Sequence, residues 1–357
     1  MKILFLVPYP TEGASNRIRV EQFVPYLTEA GYRCRIRPFA TKRFFRILYD
    51  DRRYVEKAFW FLICTLNRMC DLVRALRYDL VFIHREAYHF GGPFFERILS
   101  FMKKKIVFDF DDAIFLPNTS RTNIYIERFK SPGKTAEIIG MSRHVIAGNG
   151  YLANFASRFN KDVVVIPSSA DTDAYCPRPR TGTREGVVIG WVGSKTTVNF
   201  LNDMEDVFRE ISARFRNVTF KFIGARYSRE GLNVINVPWS LEGEASEIRD
   251  LDIGIMPMPD NDWTRGKCGF KIILYMACGL AIVSSPVGVN KEIIKDGKNG
   301  ALAASKDEWV KKLSALIEDG DLRRRLGKEG RRTVEEYYSV KRNAPQFIKV
   351  INDTIAS

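Results

Sequence analysis

The sequence contains few cysteines, and their spacing suggests neither disulfides nor a metal site. The six cysteines are scattered along 357 residues without a Cys-x-x-Cys pair or zinc-finger spacing. A disulfide framework and a structural zinc site are therefore not expected. This usage is typical of a protein in a reducing cytoplasm.

Long hydrophobic runs, low-complexity tracts and internal repeats are also absent. The longest apolar stretch, residues 58–66, is about half as long as a membrane-spanning helix needs to be. The N-terminal run, residues 3–7, ends at Pro8 and predicts a buried strand rather than a signal peptide. We expect a cytoplasmic protein, with peripheral binding to the inner face of the membrane as a further option.

Positive charge is plentiful, and most of the excess lies in the N-terminal half. The net charge is +14; residues 1–180 hold 29 Lys and Arg against 18 Asp and Glu, whereas residues 181–357 hold 27 against 24. A basic face attracts nucleic acid, anionic lipid or phosphorylated substrates, and an ordinary solvated surface is the alternative. Because no nucleic-acid fold signature accompanies the charge, we expect no nucleic-acid partner.

Short runs of β-branched residues alternate with helical patterns throughout the chain, which predicts parallel sheets covered by helices. The clearest interruption is residues 176–186, which are rich in proline, glycine and arginine. We therefore predict an α/β protein of two Rossmann-like domains, residues 1–177 and 186–338. Residues 339–357 are predicted to form a C-terminal helix that crosses back to the first domain.

Basic and aromatic residues are interleaved in residues 41–77. This mixture suits a membrane interface, where rings lie at headgroup depth and cations meet anionic lipid. A pair of ordinary helices packed on the N-terminal domain would explain the segment equally well.

The segment that begins at Arg265 carries the strongest chemical signal. A glycine-punctuated loop leads into a short predicted helix, residues 270–278, which stops at Gly279 before a buried strand. Free amides at a helix start bind anions. We therefore predict a diphosphate site here, with a basic surface helix as the alternative; its residues are Arg265, Lys267, Gly269, Phe270 and Lys271.

Residues 266–288 resemble the donor-binding segment of the family 4 glycosyltransferases, which are retaining enzymes of the GT-B fold. Residues 145–154 and 165–173 are similar to the end of that family's N-terminal domain, and residues 189–194 to the first strand and turn of its C-terminal domain. The resemblance implies two facing Rossmann-like domains with a cleft between them, a nucleotide-sugar donor, and no requirement for a metal or other cofactor.

The sequence departs from the family at two positions. Many members carry a Glu-x7-Glu pair in this segment, whose second carboxylate resembles the acid that binds the ribose in other Rossmann sites. Here the two positions are Gly266 and Leu274. Since leucine accepts no hydrogen bond, Leu274 marks the place where the nucleoside must be held in another way.

Two turns are implied by the resemblance to approach the donor phosphates. The turn after the strand 187–192 contains Gly193, Ser194 and Lys195, and a plain strand-to-helix turn capped by threonine is the alternative. In the N-terminal domain, the turn after the first strand contains Gly13 and Arg17. Helix capping by Ser15 is the competing explanation of that turn.

Polar side chains end two predicted strands of the N-terminal domain. His84 and Glu86 follow one strand, and Asp111 and Asp112 follow the next. Because strand carboxyl ends face the ligand crevice, these four are the candidates for acceptor binding and proton transfer. The spelling of residues 109–111 also matches a metal-binding Asp-x-Asp, but the resemblance implies no metal.

These patterns predict a glycosyltransferase that moves a sugar from a nucleoside diphosphate donor to a glycan acceptor, with retention. We expect the acceptor to be lipid-linked, held by the basic N-terminal domain at an anionic membrane, in cell-surface polysaccharide or glycoconjugate synthesis. The alternative is a GT-B protein that binds a nucleotide sugar or glycan without turning it over, which the missing glutamate pair favours.

Overall fold

The computed structural model describes residues 1–48, 50, 52–116, 133–178 and 186–357. The chain forms two compact units. Unit 1 comprises residues 1–168, 266–268 and 343–357, and unit 2 comprises residues 169–265 and 269–342. The division after residue 168 precedes the predicted linker, of which residues 179–185 lie outside the described part of the chain.

Unit 1 is built on a parallel sheet of six strands in the order β2-β1-β3-β4-β5-β6. The strands are β1 Lys2–Val7, β2 Arg33–Pro38, β3 Leu80–His84, β4 Lys105–Phe110, β5 His144–Ala147 and β6 Val163–Val165. The helices are α1 Ala14–Arg19, α2 Val24–Glu29, α3 Lys42–Leu48, α4 Tyr54–Ala75, α5 Phe94–Phe101, α6 Lys134–Met141 and α7 Gly150–Ala156. Strands β3 and β4 are almost entirely buried because helices cover both faces of the sheet, as is usual for parallel strands.

Unit 2 repeats this architecture with six parallel strands in the order β12-β11-β10-β7-β8-β9. The strands are β7 Val187–Val192, β8 Val218–Ile223, β9 Val234–Val237, β10 Ile253–Met256, β11 Ala281–Ser284 and β12 Ala301–Leu302. The helices are α8 Glu205–Arg214, α9 Glu244–Arg249, α10 Asp262–Arg265, α11 Phe270–Ala277, α12 Asn290–Ile293, α13 Lys306–Glu318 and α14 Gly320–Thr333. The predicted α/β fold with two Rossmann-like domains is confirmed.

The strand orders locate the crevice of each sheet. In unit 2 the order reverses between β7 and β10, and in unit 1 it reverses between β1 and β3. Ligands of doubly wound sheets bind beyond the carboxyl ends of the strands at such a switch point. The loops that follow these four strands are therefore where site residues are expected.

The last helix, α15 Val340–Ala356, begins in unit 2 and continues into unit 1. Its Phe347 stacks on Phe23, with ring centroids 4.6 Å apart, and also contacts Phe82. All three rings are buried. The chain therefore enters unit 1 after residue 342, a few residues later than the predicted boundary at 339.

We expect Phe347→Ala to destabilise unit 1 by about 3–5 kcal/mol, because it removes a buried aromatic side chain and leaves a cavity. Chemical denaturation followed by circular dichroism measures this loss. Phe101→Ala is the matched control, since Phe101 is 89% exposed. Equal unfolding midpoints for the two variants would show that α15 does not support unit 1.

Candidate functional site

A polar cluster in unit 1 follows the carboxyl ends of β1, β3 and β4. His84, the last residue of β3, is completely buried, and its Nδ1 lies 2.6 Å from Asp109 Oδ2. Its Nε2 lies 2.5 Å from Ser15 Oγ. Arg19 binds both carboxylate oxygens of Asp109 from the other side. His84 is thus held between Asp109 and a serine hydroxyl.

Asp111 lies next to this histidine and is held ionised. It accepts hydrogen bonds from Arg85 Nε at 2.8 Å and from Ser15 Oγ at 3.1 Å. Burial raises the pKa of Asp111, but Arg85 and His84 together bring that pKa well below its usual value. Arg85 also donates to Asp112 at 2.6 Å, from a left-handed backbone with φ of 63°. Such a conformation is uncommon outside glycine and is concentrated at functional sites.

The structure thus brings together three of the four predicted proton-transfer candidates: His84, Asp111 and Asp112. The Nε2 atom of the buried His84 is hydrogen-bonded to Ser15, for which helix capping was the competing explanation. The N-cap of α1 is Gly13, and it makes no side-chain capping bond. The capping explanation of Ser15 is therefore wrong, because its hydroxyl binds His84 and Asp111 instead.

Glu86, the fourth candidate, belongs to a separate group. Its carboxylate lies 2.8 Å from His89 Nδ1 and 2.9 Å from Lys134 Nζ. Burial raises the pKa of Glu86, but His89 and Lys134 outweigh it and lower that pKa to about 2. The structure shows Glu86 as one partner of an ion-pair group. It is not a member of the cluster of Ser15, His84, Arg85 and Asp111, which we call the Asp111 cluster.

The lowered pKa of Glu86 predicts a pH-dependent contribution to stability. The folded protein holds the proton less tightly than the unfolded chain, so the contribution is complete above pH 4.5 and is lost as pH falls towards 2. It amounts to about 3 kcal/mol. Glu86→Gln should lower the melting temperature at pH 7, and the difference from the wild type should shrink towards zero as pH falls to about 2. A constant difference at both pH values would contradict this assignment.

Gly13 and Arg17, which were predicted to approach the donor phosphates, make contacts within their own turn. Gly13 is packed tightly, since a Cβ there would lie 2.5 Å from Tyr9 Cβ. Arg17 Nη1 donates to the carbonyl of Thr11 at 3.4 Å, within the same turn. These contacts give Gly13 and Arg17 a role in shaping the turn that presents Ser15.

In unit 2, the predicted donor helix is present as α11, after Gly269. Gly269 has φ of 63°, and a Cβ there would lie 2.5 Å from Ile293 Cδ1, so only glycine fits without strain. Phe270 is the first helical residue, and Gly279, with φ of 69°, follows the helix as predicted. The first amides of such a helix have no intrahelical acceptor and point at whatever lies beyond its start.

Lys271 lies in the first turn of α11 and is positioned by β7. Its Nζ lies 4.4 Å from the centroid of the Trp191 ring and donates to Thr197 Oγ1 at 3.4 Å. Gly193 makes room for this contact, because a Cβ there would lie 2.3 Å from the Trp191 ring and 2.8 Å from Lys271 Nζ. The turn after β7 and the start of α11, about 75 residues apart in sequence, therefore form one site.

The remaining residues of the β7 turn are at the surface. Ser194 and Lys195 are exposed, and Ser194 Oγ lies 2.7 Å from Thr196 Oγ1. Thr197 makes no side-chain cap to the 3-10 helix Val198–Met204 that follows. The threonine-cap alternative is therefore wrong, and Thr197 instead accepts a hydrogen bond from Lys271.

Arg265 and Lys267, the other two predicted cations, are paired with carboxylates. Arg265 Nε donates to Asp260 at 2.7 Å and its Nη1 to Asp262 at 3.2 Å, both near it in sequence. Lys267 belongs to unit 1, where its Nζ lies 3.6 Å from Asp112 Oδ1. Of the three predicted cations, Lys271 is the one that lies within α11 itself, in its first turn.

Residues 266–268 are fixed within unit 1 by a buried asparagine. Asn149 Nδ2 donates to the carbonyls of Gly266 and Lys267, each at 3.1 Å. Cys268 Sγ donates to the carbonyl of Asp111 at 3.1 Å. Sequence reasoning gave Asn149 no role, although its position three residues before Leu152 is that of a helix cap, which it also provides.

Leu274 is 2% exposed and packs in the hydrophobic core of unit 2. It therefore offers nothing to a nucleoside. The neighbouring Tyr275 is also buried, and its hydroxyl accepts a hydrogen bond from Val192 N at 2.8 Å, which ties α11 to β7. Burial raises the pKa of the Tyr275 hydroxyl.

Among the described residues, no group of three or more His, Cys, Asp or Glu side chains is arranged to hold a metal ion. Asp109 and Asp111 form the Asp-x-Asp motif. Their carboxylate oxygens are bound by arginine, histidine and serine side chains. No helix in the described part of the chain is long and apolar enough to cross a membrane.

Comparison with protein families matches residues 186–319 to the family described as glycosyl transferases group 1. Among curated proteins, the chain is 33% identical over 78 residues to spore coat protein SA of Bacillus subtilis, covering 21% of each protein. It is 30% identical over 87 residues to the uncharacterized glycosyltransferase MJ1069 of Methanocaldococcus jannaschii, covering 24% of this chain and 22% of the relative. These matches span about a fifth of the relatives' length.

Solved structures resemble the chain over its whole length. The crystal structure of Anabaena HepE in complex with UDP and glucose superposes with a TM-score of 0.71 at 15% identity, covering 99% of this chain and 100% of HepE. Sucrose-phosphate synthase from Thermosynechococcus elongatus gives a TM-score of 0.70 at 14% identity, covering 100% and 99%. The protein therefore has the GT-B fold, and residues 186–319 match the glycosyl transferases group 1 family.

Proposed function

We propose that the protein is a glycosyltransferase that moves a sugar from a nucleoside diphosphate donor, with retention, to a lipid-linked glycan acceptor. The observation that supports this proposal most strongly is the position of the Lys271 side chain. It is held at the start of α11 by Trp191 and Thr197, beside the switch point of a domain that matches glycosyl transferases group 1.

The donor diphosphate binds at the start of α11 in this proposal. First-turn amides and the Lys271 ammonium group supply positive charge where the leaving diphosphate gains negative charge, which stabilises the transition state without a metal. The HepE structure, which contains UDP and glucose, supports a nucleotide-sugar ligand for this fold. Ser194 and Lys195, exposed on the turn after β7, are the next groups available to such a donor.

The acceptor is held by unit 1. The carboxylate of Asp111 is ionised, and Ser15 is hydrogen-bonded to both Asp111 and His84. An ionised carboxylate and a hydroxyl are suitable groups for binding and orienting a sugar hydroxyl through hydrogen bonds. The excess of Lys and Arg in residues 1–180 supports an acceptor with a phosphorylated lipid carrier at an anionic membrane, in cell-surface polysaccharide or glycoconjugate synthesis.

A transfer assay tests this proposal. The purified protein is incubated with a panel of nucleoside diphosphate sugars and lipid-linked or free glycan acceptors, and the released diphosphate is measured. Proton NMR of the product reports the anomeric configuration, which should match that of the donor. Inversion would contradict the retaining assignment, and no release with any donor would contradict the transferase assignment.

A second candidate is a protein that binds a nucleotide sugar or glycan without turning it over. Gly266 and the buried Leu274 favour it, because they stand where the family pattern has its two glutamates. This candidate predicts tight binding of a nucleotide sugar, no release of the diphosphate, and no change in either on Asp111→Asn.

A further inference from the structure

Helix α4 presents a continuous row of apolar side chains to solvent. The row consists of Val55 (86% exposed), Phe59 (55%), Leu62 (56%), Leu66 (50%), Met69 (47%) and Val73 (67%). Isolated apolar residues are common on protein surfaces, but a contiguous row indicates an interaction surface. We call this row the α4 stripe.

The spacing of the α4 stripe makes it a straight surface. Successive members are four, three, four, three and four residues apart, so that all six lie on one face of a helix with 3.6 residues per turn. The helix has 22 residues and is therefore about 33 Å long. No charged residue lies between Phe59 and Met69 on the exposed face, where Asn67 is the most polar exposed residue.

The opposite face of α4 fixes the direction in which the stripe points. Arg68 and Asp71 are buried there, and Arg68 donates to the carbonyls of Val7 and Arg37 at 3.1 and 3.2 Å. Arg37 Nε in turn donates to Asp71 at 2.8 Å. Because these contacts bind α4 to the edge of the sheet, the stripe is a rigid feature of unit 1.

Apart from Phe59, which belongs to the α4 stripe, several of the aromatic residues in residues 41–77 pack within unit 1. Phe44 is buried, and Phe61 packs against Phe39 and Tyr88 in a small core of unit 1. Trp60 lies under the guanidinium group of Arg43. The exposed large apolar side chains of this segment are therefore those of the α4 stripe, together with Tyr54 and Leu76 near the ends of the helix.

Charge decides which partner fits the stripe. Residues 42–77 contain nine Lys and Arg but four Asp and Glu. Arg52 and Arg53 precede the helix, and Arg74 and Arg77 lie at its end. Arg53 pairs with Asp50 and Arg74 with Asp71, so Arg52 and Arg77 are the cations that the two ends offer to a partner. A second copy of the chain would bring like charges together in a parallel or an antiparallel pairing, whereas an anionic surface would neutralise both ends.

We infer that the α4 stripe inserts into the surface of an anionic bilayer, with the helix axis parallel to the membrane plane. The apolar side chains occupy the boundary between headgroups and acyl chains, and the cations at both ends contact lipid phosphates. This inference rests on the membrane partner in the proposed function and assigns that contact to one face of one helix.

Vesicle co-sedimentation tests the inference with the full chain. Wild type should bind phosphatidylcholine vesicles with 30% phosphatidylglycerol at least tenfold more tightly than pure phosphatidylcholine. The Leu62→Asp/Leu66→Asp variant should lose at least tenfold of that binding. Arg52→Gln/Arg77→Gln should reduce the preference for anionic vesicles. Ile235→Asp, which places an aspartate at another exposed apolar position, in unit 2, should bind like wild type.

A depth measurement separates insertion from simple charge attraction. The five tryptophans include one in unit 1, Trp60, so a Trp60→Phe/Phe59→Trp variant moves that fluorophore onto the stripe. Vesicles with brominated acyl chains should quench its emission more than that of Trp60→Phe alone. Equal quenching of the two variants overturns the inserted geometry.

Two further results would overturn the inference. The first is equal binding of wild type and Leu62→Asp/Leu66→Asp to anionic vesicles. The other is a dimer in light scattering that the same variant converts to monomer, since the stripe would then bind a second copy. Stabilisation by nucleoside diphosphates is measured on the same samples; it should be the same in all α4 variants, so failure of the donor proposal and failure of this inference are distinguishable.

Discussion

Replacing Lys271 with methionine is expected to weaken nucleoside diphosphate binding by about 100-fold, because it removes the cation fixed at the start of α11. Methionine is unbranched and of similar length, but it lacks the ammonium group that lies over the Trp191 ring. Titration calorimetry with the diphosphate that stabilises the wild type best measures the loss.

The matched control for this prediction is Lys311→Met. Lys311 is an exposed lysine of α13 in the same unit. The control removes one positive charge from unit 2 without touching the turn after β7, and its affinity should stay within twofold of wild type. A loss of equal size in both variants would mean that the net charge of unit 2, rather than the placement of Lys271, attracts the diphosphate.

Asp111→Asn is expected to reduce sugar transfer by 100- to 10,000-fold while leaving donor affinity unchanged. The wild-type carboxylate is ionised because Arg85 and His84 outweigh the effect of burial. Asparagine has the same size but loses the charge that accepts hydrogen bonds from Ser15 and from an acceptor hydroxyl. Transfer rates and donor affinity, measured separately, provide the test.

The buried contact with Arg85 requires a stability control for this variant. Removing one partner of a buried ion pair is costly, so the melting temperature of Asp111→Asn is measured alongside its activity. Ser15→Ala keeps the Asp111–Arg85 pair and removes only the hydroxyl, and it should lower transfer by a smaller factor. If Asp111→Asn folds and transfers at the wild-type rate, the Asp111 cluster is not part of the active site.

The fold was predictable because its signal is local and repeated. Most buried strands are short apolar runs; Val187–Val192, for example, is followed by the glycine of the next turn. The start and end of α11 were likewise predictable, since Gly269 and Gly279 both require positive φ.

The composition of the Asp111 cluster in unit 1 could not be predicted in the same way. Ser15 and His84 are 69 residues apart, and their contact depends on β1 and β3 being neighbours in the sheet. A serine at the start of a helix is most simply explained as a cap, so the sequence favoured the wrong interpretation. The left-handed backbone of Arg85 also has no sequence signal, because arginine seldom adopts it.

The partners of the three predicted donor-site cations could not be predicted from the sequence. Arg265, Lys267 and Lys271 are close in sequence, but Arg265 binds the neighbouring Asp260 and Lys267 belongs to unit 1. The sequence does not show that the chain contributes residues 266–268 to unit 1 before returning to unit 2. Asn149, which holds this tripeptide, was therefore missed as well.

Thermal stabilisation by nucleoside diphosphates tests the central claim most directly, since a ligand that binds only the folded state raises the melting temperature. Wild type is heated with each common nucleoside diphosphate and its sugar conjugates, in parallel with Lys271→Met. We predict that at least one base family stabilises wild type at submillimolar concentration and that Lys271→Met loses this stabilisation. A wild-type protein that no member of the panel stabilises, or a Lys271→Met variant stabilised equally well, would contradict a donor site at the start of α11.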